Sequence, residues 1–340
     1  MNSIIKEALW AYSYVALWIF LSAGVIMYNK YVLSFFGFPF PVSLTMIHMA
    51  FCSAMAFLLV RVLKVVKGVP NMTREMYISR ILPIAGLFAL TLWFSNTSYL
   101  YLSVAFIQMV KAMMPCVVYV VACFMKVETF RGKTMMNMIV ITTGVTIASY
   151  GEINFNWTGM SLLLASIACE AVRVVSIQLL LTSADIKLNS VTTLYYVSPA
   201  CLVFLCAPFA FVEAPKMMAS EEDINLNPAV LLSNAAVAFA LNMSVYLLIG
   251  KTSALTMNVA GVIKDWILIF ISSLLFDAPI SNTQLGGYLL AFLAVCYYNY
   301  VKFKEKEAAS AAGGSAPVKP PDEKDAFISL AGGESKNQKL

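Results

Sequence analysis

The chain has 340 residues, of which 60% are hydrophobic and 12% charged, with a formal net charge of +5. A soluble domain is roughly 45–50% apolar and about 25% charged, so these side chains cannot cover a water-facing globule; the composition excludes a soluble enzyme and a disordered chain and points to a polytopic membrane protein. A single histidine, His48, and cysteines with no Cys-x-x-Cys pair argue against a zinc site or a Cys/His dyad, so no metal or cofactor is expected, and no basic, aromatic-interleaved cluster offers nucleic acid a footprint.

A bilayer core about 30 Å thick needs about 20 apolar residues per helix. After a short N-terminal segment, 1–10, ten such stretches follow: 11–33, 42–61, 80–99, 102–124, 135–151, 158–181, 191–212, 229–250, 254–276 and 284–303. The opening segment leaves no room for a cleavable signal or transit peptide, which favours the secretory pathway over plastid or mitochondrion. Span 1 ends near Asn29-Lys30, where Lys30 reads equally as an interfacial, snorkelling lysine or as part of a cavity or gate. Span 2 follows the turn residues Gly37-Phe-Pro-Phe-Pro41 and carries His48.

Span 4 holds Gln108, Lys111 and Pro115; the proline ring blocks the hydrogen bond to the Lys111 carbonyl and bends the helix there. Span 5 carries Gly144-x-x-x-Ala148, a close-packing face. The sequon Asn156-Trp-Thr sits too near span 6 to favour glycosylation. Span 6 carries Glu170 and Arg173, spaced i,i+3 for an internal salt bridge. Tyr195 and Tyr196 lie in span 7; for them, as for His48, helix packing and substrate contact both remain open. Span 9 carries Lys264 and Asp265, preceded by Gly261, which permits close approach of a ligand or backbone. Span 10 has Gly287-x-x-x-Ala291, and its Gly286-Gly287 pair offers a face to a second copy of the chain. Residues 304–340 form a charged tail, expected to be disordered.

The lysines and arginines fix an orientation. One set of loops and ends carries Lys6, Arg61, Lys64, Lys67, Arg74, Arg80, Lys126, Arg131, Lys133, Lys187, Lys251, Lys302, Lys304 and Lys306; the other has only Lys30 and Lys216. Both termini are therefore expected in the cytosol, with Glu152 and Glu213 on the luminal side. An odd number of spans, as in a seven-span receptor, breaks this pattern.

The halves echo each other. Pro41–His48 aligns with Asn189–Tyr196, Asn96-x-Ser98 recurs as Asn242-x-Ser244, and Ser103–Lys111 aligns with Thr256–Lys264. Five spans per half is odd, so a duplicated unit sits inverted in the membrane, which places a substrate site near the midplane. Lys111 and Lys264 fall near mid-depth, where a charge costs about 2.5–3.5 kcal/mol. Asp265 adjoins Lys264, but i,i+1 side chains do not face each other on a helix, and Glu170 has Arg173. The two lysines thus read as a shared, under-neutralised anion site; structural pairing with carboxylates is the alternative.

Ser103-Val-Ala-Phe-Ile-Gln-Met-Val-Lys-Ala-Met-Met-Pro115, Tyr28-Asn29-Lys30 and Thr252-Ser-Ala-Leu-Thr-Met-Asn-Val-Ala-Gly-Val-Ile-Lys-Asp265 resemble motifs of the triose-phosphate/nucleotide-sugar translocator family, within the drug/metabolite transporter superfamily. The resemblance covers roughly residues 11–303. It implies ten helices in two inverted five-helix repeats and strict exchange of organic phosphates, with Lys111 and Lys264 matching the phosphate-gripping lysines. Position 265 is Asp where plastid members have Arg, and Gln108 and Met114 replace His and Glu. The chain is more similar to the plant and algal Lys-Asp subgroup, which groups with endomembrane nucleotide-sugar carriers. A Golgi (or ER) location follows from that likeness, as does a phosphorylated small-molecule substrate.

The expected protein is an all-α, ten-helix antiporter. Two buried cations repel each other in an empty cavity, so only the anion-loaded form changes access. An exporter of neutral metabolites needs neither lysine. A non-transporting scaffold predicts neither the repeat nor the midplane cations. No nucleophile-base or paired-carboxylate arrangement marks an enzyme.

Overall fold

A computed structural model describes residues 3–66, 72–183, 190–220, 224–249, 254–276 and 280–311. These residues are helical and contain no strand. In chain order the helical rods are α1 (Ser3–Ser34), α2 (Pro41–Val62), α3 (Arg74–Ser98), α4 (Val104–Phe124), α5 (Gly132–Tyr150), α6 (Trp157–Ser183), α7 (Ser190–Pro208, continued through Phe209–Glu213 to Ala214–Ala219), α8 (Pro228–Ile249), α9 (Ala254–Leu275) and α10 (Asn282–Ala311). Among the described residues six rods, α1, α2, α3, α4, α6 and α7, are long and apolar enough to cross a bilayer; α8 has a shorter apolar stretch, Pro228–Ser244.

Local chemistry sets the rod ends. The Oγ of Ser103 accepts the Phe106 N–H at 3.1 Å, Asn156 Oδ1 accepts the Gly159 N–H at 3.0 Å, and Ser281 Oγ accepts the Gln284 N–H at 3.1 Å; each satisfies a first-turn amide that has no partner within its helix. Gly37, at φ +88°, turns the chain out of α1. With no Gly or Pro between residues 3 and 10, α1 starts ahead of the expected residue 11. Nothing breaks α10 before Gly313, so the expected tail opens as helix through Ala311. Residues 312–340 lie outside the described residues, as do Lys67, Lys187 and Lys251.

Wide, π-type turns occur at Leu58–Val62, Tyr77–Ile81 and Phe209–Glu213. The rods pack in matched pairs. α1 lies on α8 as α6 lies on α3; α2 lies on α8 as α7 lies on α3; α1 lies on α9 as α6 lies on α4. The pairs α5–α10, α2–α7 and α4–α9 also pack directly. In α5–α10 the backbones nearly touch: a Cβ on Gly144 would lie 2.5 Å from the Ala291 nitrogen, and one on Gly287 would lie 2.3 Å from the Ala148 nitrogen. The Gly287–Ala291 face of α10 is therefore filled by α5, whereas a Cβ on Gly286 would meet nothing within 4 Å. Outside, Phe20, Phe124, Phe211, Tyr150 and Trp157 stand exposed. An apolar exterior of this kind, with Tyr150 and Trp157 at adjoining rod ends, belongs to an integral membrane protein.

Candidate functional site

The α4 rod is broken where the sequence predicts a kink. Its first segment ends at Lys111, Ala112 and Met113 turn, and Met114–Phe124 resumes with Pro115 in the new first turn. Proline supplies no N–H to the Lys111 carbonyl, and Lys111 is left at the break. Its ammonium donates to Ser95 Oγ at 3.4 Å and stands 5.9 Å from the Tyr99 ring centroid. Asp265 and Glu170 lie within electrostatic reach, but no carboxylate among the described residues comes within 4.0 Å of it.

Lys264 comes from α9, which packs on the first segment of α4. Its ammonium lies 3.3 Å from Asp265 Oδ1 and 5.7 Å from the Trp18 ring centroid. The expectation that adjacent side chains leave Lys264 without a partner is therefore corrected. Successive Cβ atoms diverge by about 100° on a helix, but the four-carbon lysine stem is long enough to fold back. Gly261 faces Trp18, whose nearest ring atom would lie 4.0 Å from a Cβ at that position, so a side chain rather than a close backbone occupies that face.

Glu170 and Arg173 form the expected i,i+3 ion pair, with Arg173 Nε donating to Glu170 Oε2 at 2.8 Å; the guanidinium also covers the Phe88 ring at 4.8 Å. All five charged side chains keep partial exposure inside long rods. Charges at such positions avoid lipid by facing the bundle interior or a hydrated cavity. The group carries three cations and two anions, and Lys111 is the cation without an ion-pair partner among the described residues.

Other candidates lie elsewhere. His48 is buried and hydrogen-bonded to Asn234, whose Nδ2 donates to Asn29 Oδ1 at 3.1 Å. That network joins α1, α2 and α8. The Lys30 ammonium donates to the carbonyls of Tyr99 and Leu102 beyond the end of α3, where a cation meets the negative end of the helix dipole. Tyr195 accepts a hydrogen bond from Arg61 Nε at 2.9 Å, and the Tyr196 carbonyl accepts the Tyr77 hydroxyl at 3.0 Å, so both tyrosines belong to a cavity at one end of the bundle. Gln108 is buried on α4, and its Nε2 has no hydrogen-bond partner among the described residues. Asn96 bonds across to Thr45 of α2, but Ser98, Asn242 and Ser244 bond to carbonyls of their own helices.

Sequence reasoning missed Ser95, Tyr99 and Trp18, polar or aromatic residues with no distinguishing spacing. It also missed the role of Glu213. This carboxylate is buried and accepts the Val42 N–H at 2.6 Å, the Ser43 N–H at 2.7 Å and the Ser43 hydroxyl at 2.7 Å, closing the start of α2 onto the end of α7.

Residues 9–299 match the family model described as the Triose-phosphate Transporter family. Three proteins of Arabidopsis thaliana, each named as a probable sugar phosphate/phosphate translocator, are similar over nearly the full chain. One is 49% identical over 327 residues, covering 96% of this chain and 92% of its own. The second is 51% identical over 309 residues, covering 90% and 88%, and the third 50% identical over 316 residues, covering 92% and 90%.

Proposed function

The chain belongs to the Triose-phosphate Transporter family, and from that premise we propose an antiporter that exchanges organic phosphates across an endomembrane by alternating access. The exchanged species are a nucleotide sugar or sugar phosphate against a nucleotide monophosphate or phosphate. As a family member it is an integral membrane carrier of phosphorylated sugars rather than an enzyme.

The observation that carries the reading is Lys111, a cation without an ion-pair partner among the described residues, set at a helix break and half-buried within reach of Asp265 and Glu170. A broken helix with a free charge is how a membrane bundle presents polar atoms to a substrate. Lys111 is assigned the phosphate, with Lys264 beside it. Asp265, held by Lys264, turns its remaining lone pairs to sugar or ribose hydroxyls. Gln108, its amide nitrogen without a partner among the described residues, is assigned a donor role to the same ligand.

Ten membrane crossings in two inverted five-helix repeats are part of the proposal. The matched packing pairs support it, since exchanging α1–α5 with α6–α10 maps one set of contacts onto the other. The π-type turns Leu58–Val62 and Phe209–Glu213 each follow the long α-helical segment of their rod, α2 and α7. The basic bias of one set of loops supports cytosolic termini.

An empty site leaves Lys111 uncompensated, so closing around it is costly; a bound phosphate removes that cost, and only the loaded carrier reorients. Uptake of labelled sugar phosphate into liposomes tests this. Vesicles preloaded with phosphate or nucleotide monophosphate should take up label at least tenfold faster than empty ones. Equal rates would exclude obligatory exchange.

A further inference from the structure

A second polar cavity lies apart from the Lys111–Lys264 group, at the end of the bundle where α2 finishes and α3 and α7 begin. It measures about 390 Å³ and is bounded by Ser53, Thr73, Arg74, Tyr77, Tyr195 and Tyr196 among others. Its wall is fixed. The Tyr195 and Tyr196 rings meet edge to face at 4.8 Å, and the Tyr77 hydroxyl donates to the Tyr196 carbonyl at 3.0 Å. Arg61 stands at its edge, donating Nε to the Tyr195 oxygen at 2.9 Å. That bond uses a lone pair of Tyr195 and leaves its O–H free to donate.

Two features select the ligand. Among the described residues neither Arg61 nor Arg74 has a carboxylate within 4.0 Å, and Glu75, next to Arg74, is exposed and does not line the cavity. One guanidinium bonded to a tyrosine hydroxyl at the edge and a second arginine in the lining suit a phosphate monoester, which carries about −1.5 to −2 charge at pH 7. Phe57 of the lining is 53% exposed, and Val62, Leu63 and Val65, which follow Arg61 in the chain, are 59%, 56% and 59% exposed. A water-soluble ester has no use for these apolar side chains, whereas acyl chains do.

We propose that this cavity binds the phosphate monoester headgroup of an anionic membrane lipid, at a site separate from the transported substrate. The test uses the purified full-length chain in detergent. Its thermal unfolding is followed with short-chain phosphatidic acid, short-chain phosphatidylcholine and glycerol 3-phosphate. Phosphatidic acid should raise Tm where phosphatidylcholine does not. Its apparent affinity should fall at least tenfold in R61Q/R74Q and several-fold in Y195F, and persist in K264Q, in which the central site is impaired. The unliganded Tm of each variant reports its folding, which substitutions at this rim should leave intact. No shift with phosphatidic acid, or an undiminished shift in R61Q/R74Q, overturns the site. Glycerol 3-phosphate binding as tightly as phosphatidic acid, with the same arginine dependence, overturns the lipid assignment.

Discussion

Lys264 holds the carboxylate of its own chain neighbour, Asp265, at 3.3 Å. The pair is nearly neutral, so the net positive charge of the central group rests on Lys111. Replacing Lys264 with Gln strands a carboxylate where phosphate must bind; kcat/KM for a sugar phosphate should drop at least about tenfold, about 1.4 kcal/mol. K264Q/D265N removes both charges and should recover part of that loss. A double variant no better than K264Q in reconstituted exchange would show that the pair does not act as a unit.

Lys111 yields the opposite sign for folding and for transport. An uncompensated cation deep in a bilayer protein costs about 2.5–3.5 kcal/mol on insertion scales. K111Q should therefore raise the Tm of the unliganded protein, or leave it unchanged, while abolishing exchange and ligand-induced stabilisation. A clear fall in unliganded Tm would make Lys111 a structural residue.

What was legible in the sequence is what depends on near neighbours along the chain. Apolar runs of bilayer length marked the rods, Pro115, four residues after Lys111, marked the break that follows Lys111, and the i,i+3 spacing marked Glu170–Arg173. What was not legible is contact through space. Glu213 meets Ser43 across 170 residues and His48 meets Asn234 across 186, and no local pattern announces either. Lys264–Asp265 failed for a different reason: helical direction rules describe where Cβ points, and a lysine stem is flexible beyond it.

Glu213 supplies a third prediction. Its carboxylate satisfies two first-turn amides of α2, Val42 and Ser43, and the Ser43 hydroxyl, in a buried setting. An amide at this position turns an N–H toward donors that need an acceptor. E213Q should lower stability by about 1–3 kcal/mol, and S43A, which removes one bond of the three, by less. Tryptophan fluorescence during thermal unfolding measures both. Wild-type stability in E213Q would mean that the α2–α7 closure contributes nothing.

Glu152 lies in the loop between α5 and α6, where Gln284 Nε2 donates to its carboxylate. Burial raises its pKa above the ordinary 4.5, with the Gln284 and Asn154 hydrogen bonds offsetting part of the rise. The folded chain thus holds this proton to higher pH than the unfolded chain. Stability is fully present below about 4.5, falls as pH rises from there through the folded value, and stays reduced above it. E152Q keeps an acceptor for Gln284 and removes the charge, so it should unfold at higher temperature at pH 7 and lose the slope just above 4.5. Q284L, which removes the donor, should carry the slope to higher pH. Unfolding curves for E152Q and wild type that run parallel across this range would assign the pH dependence to another group.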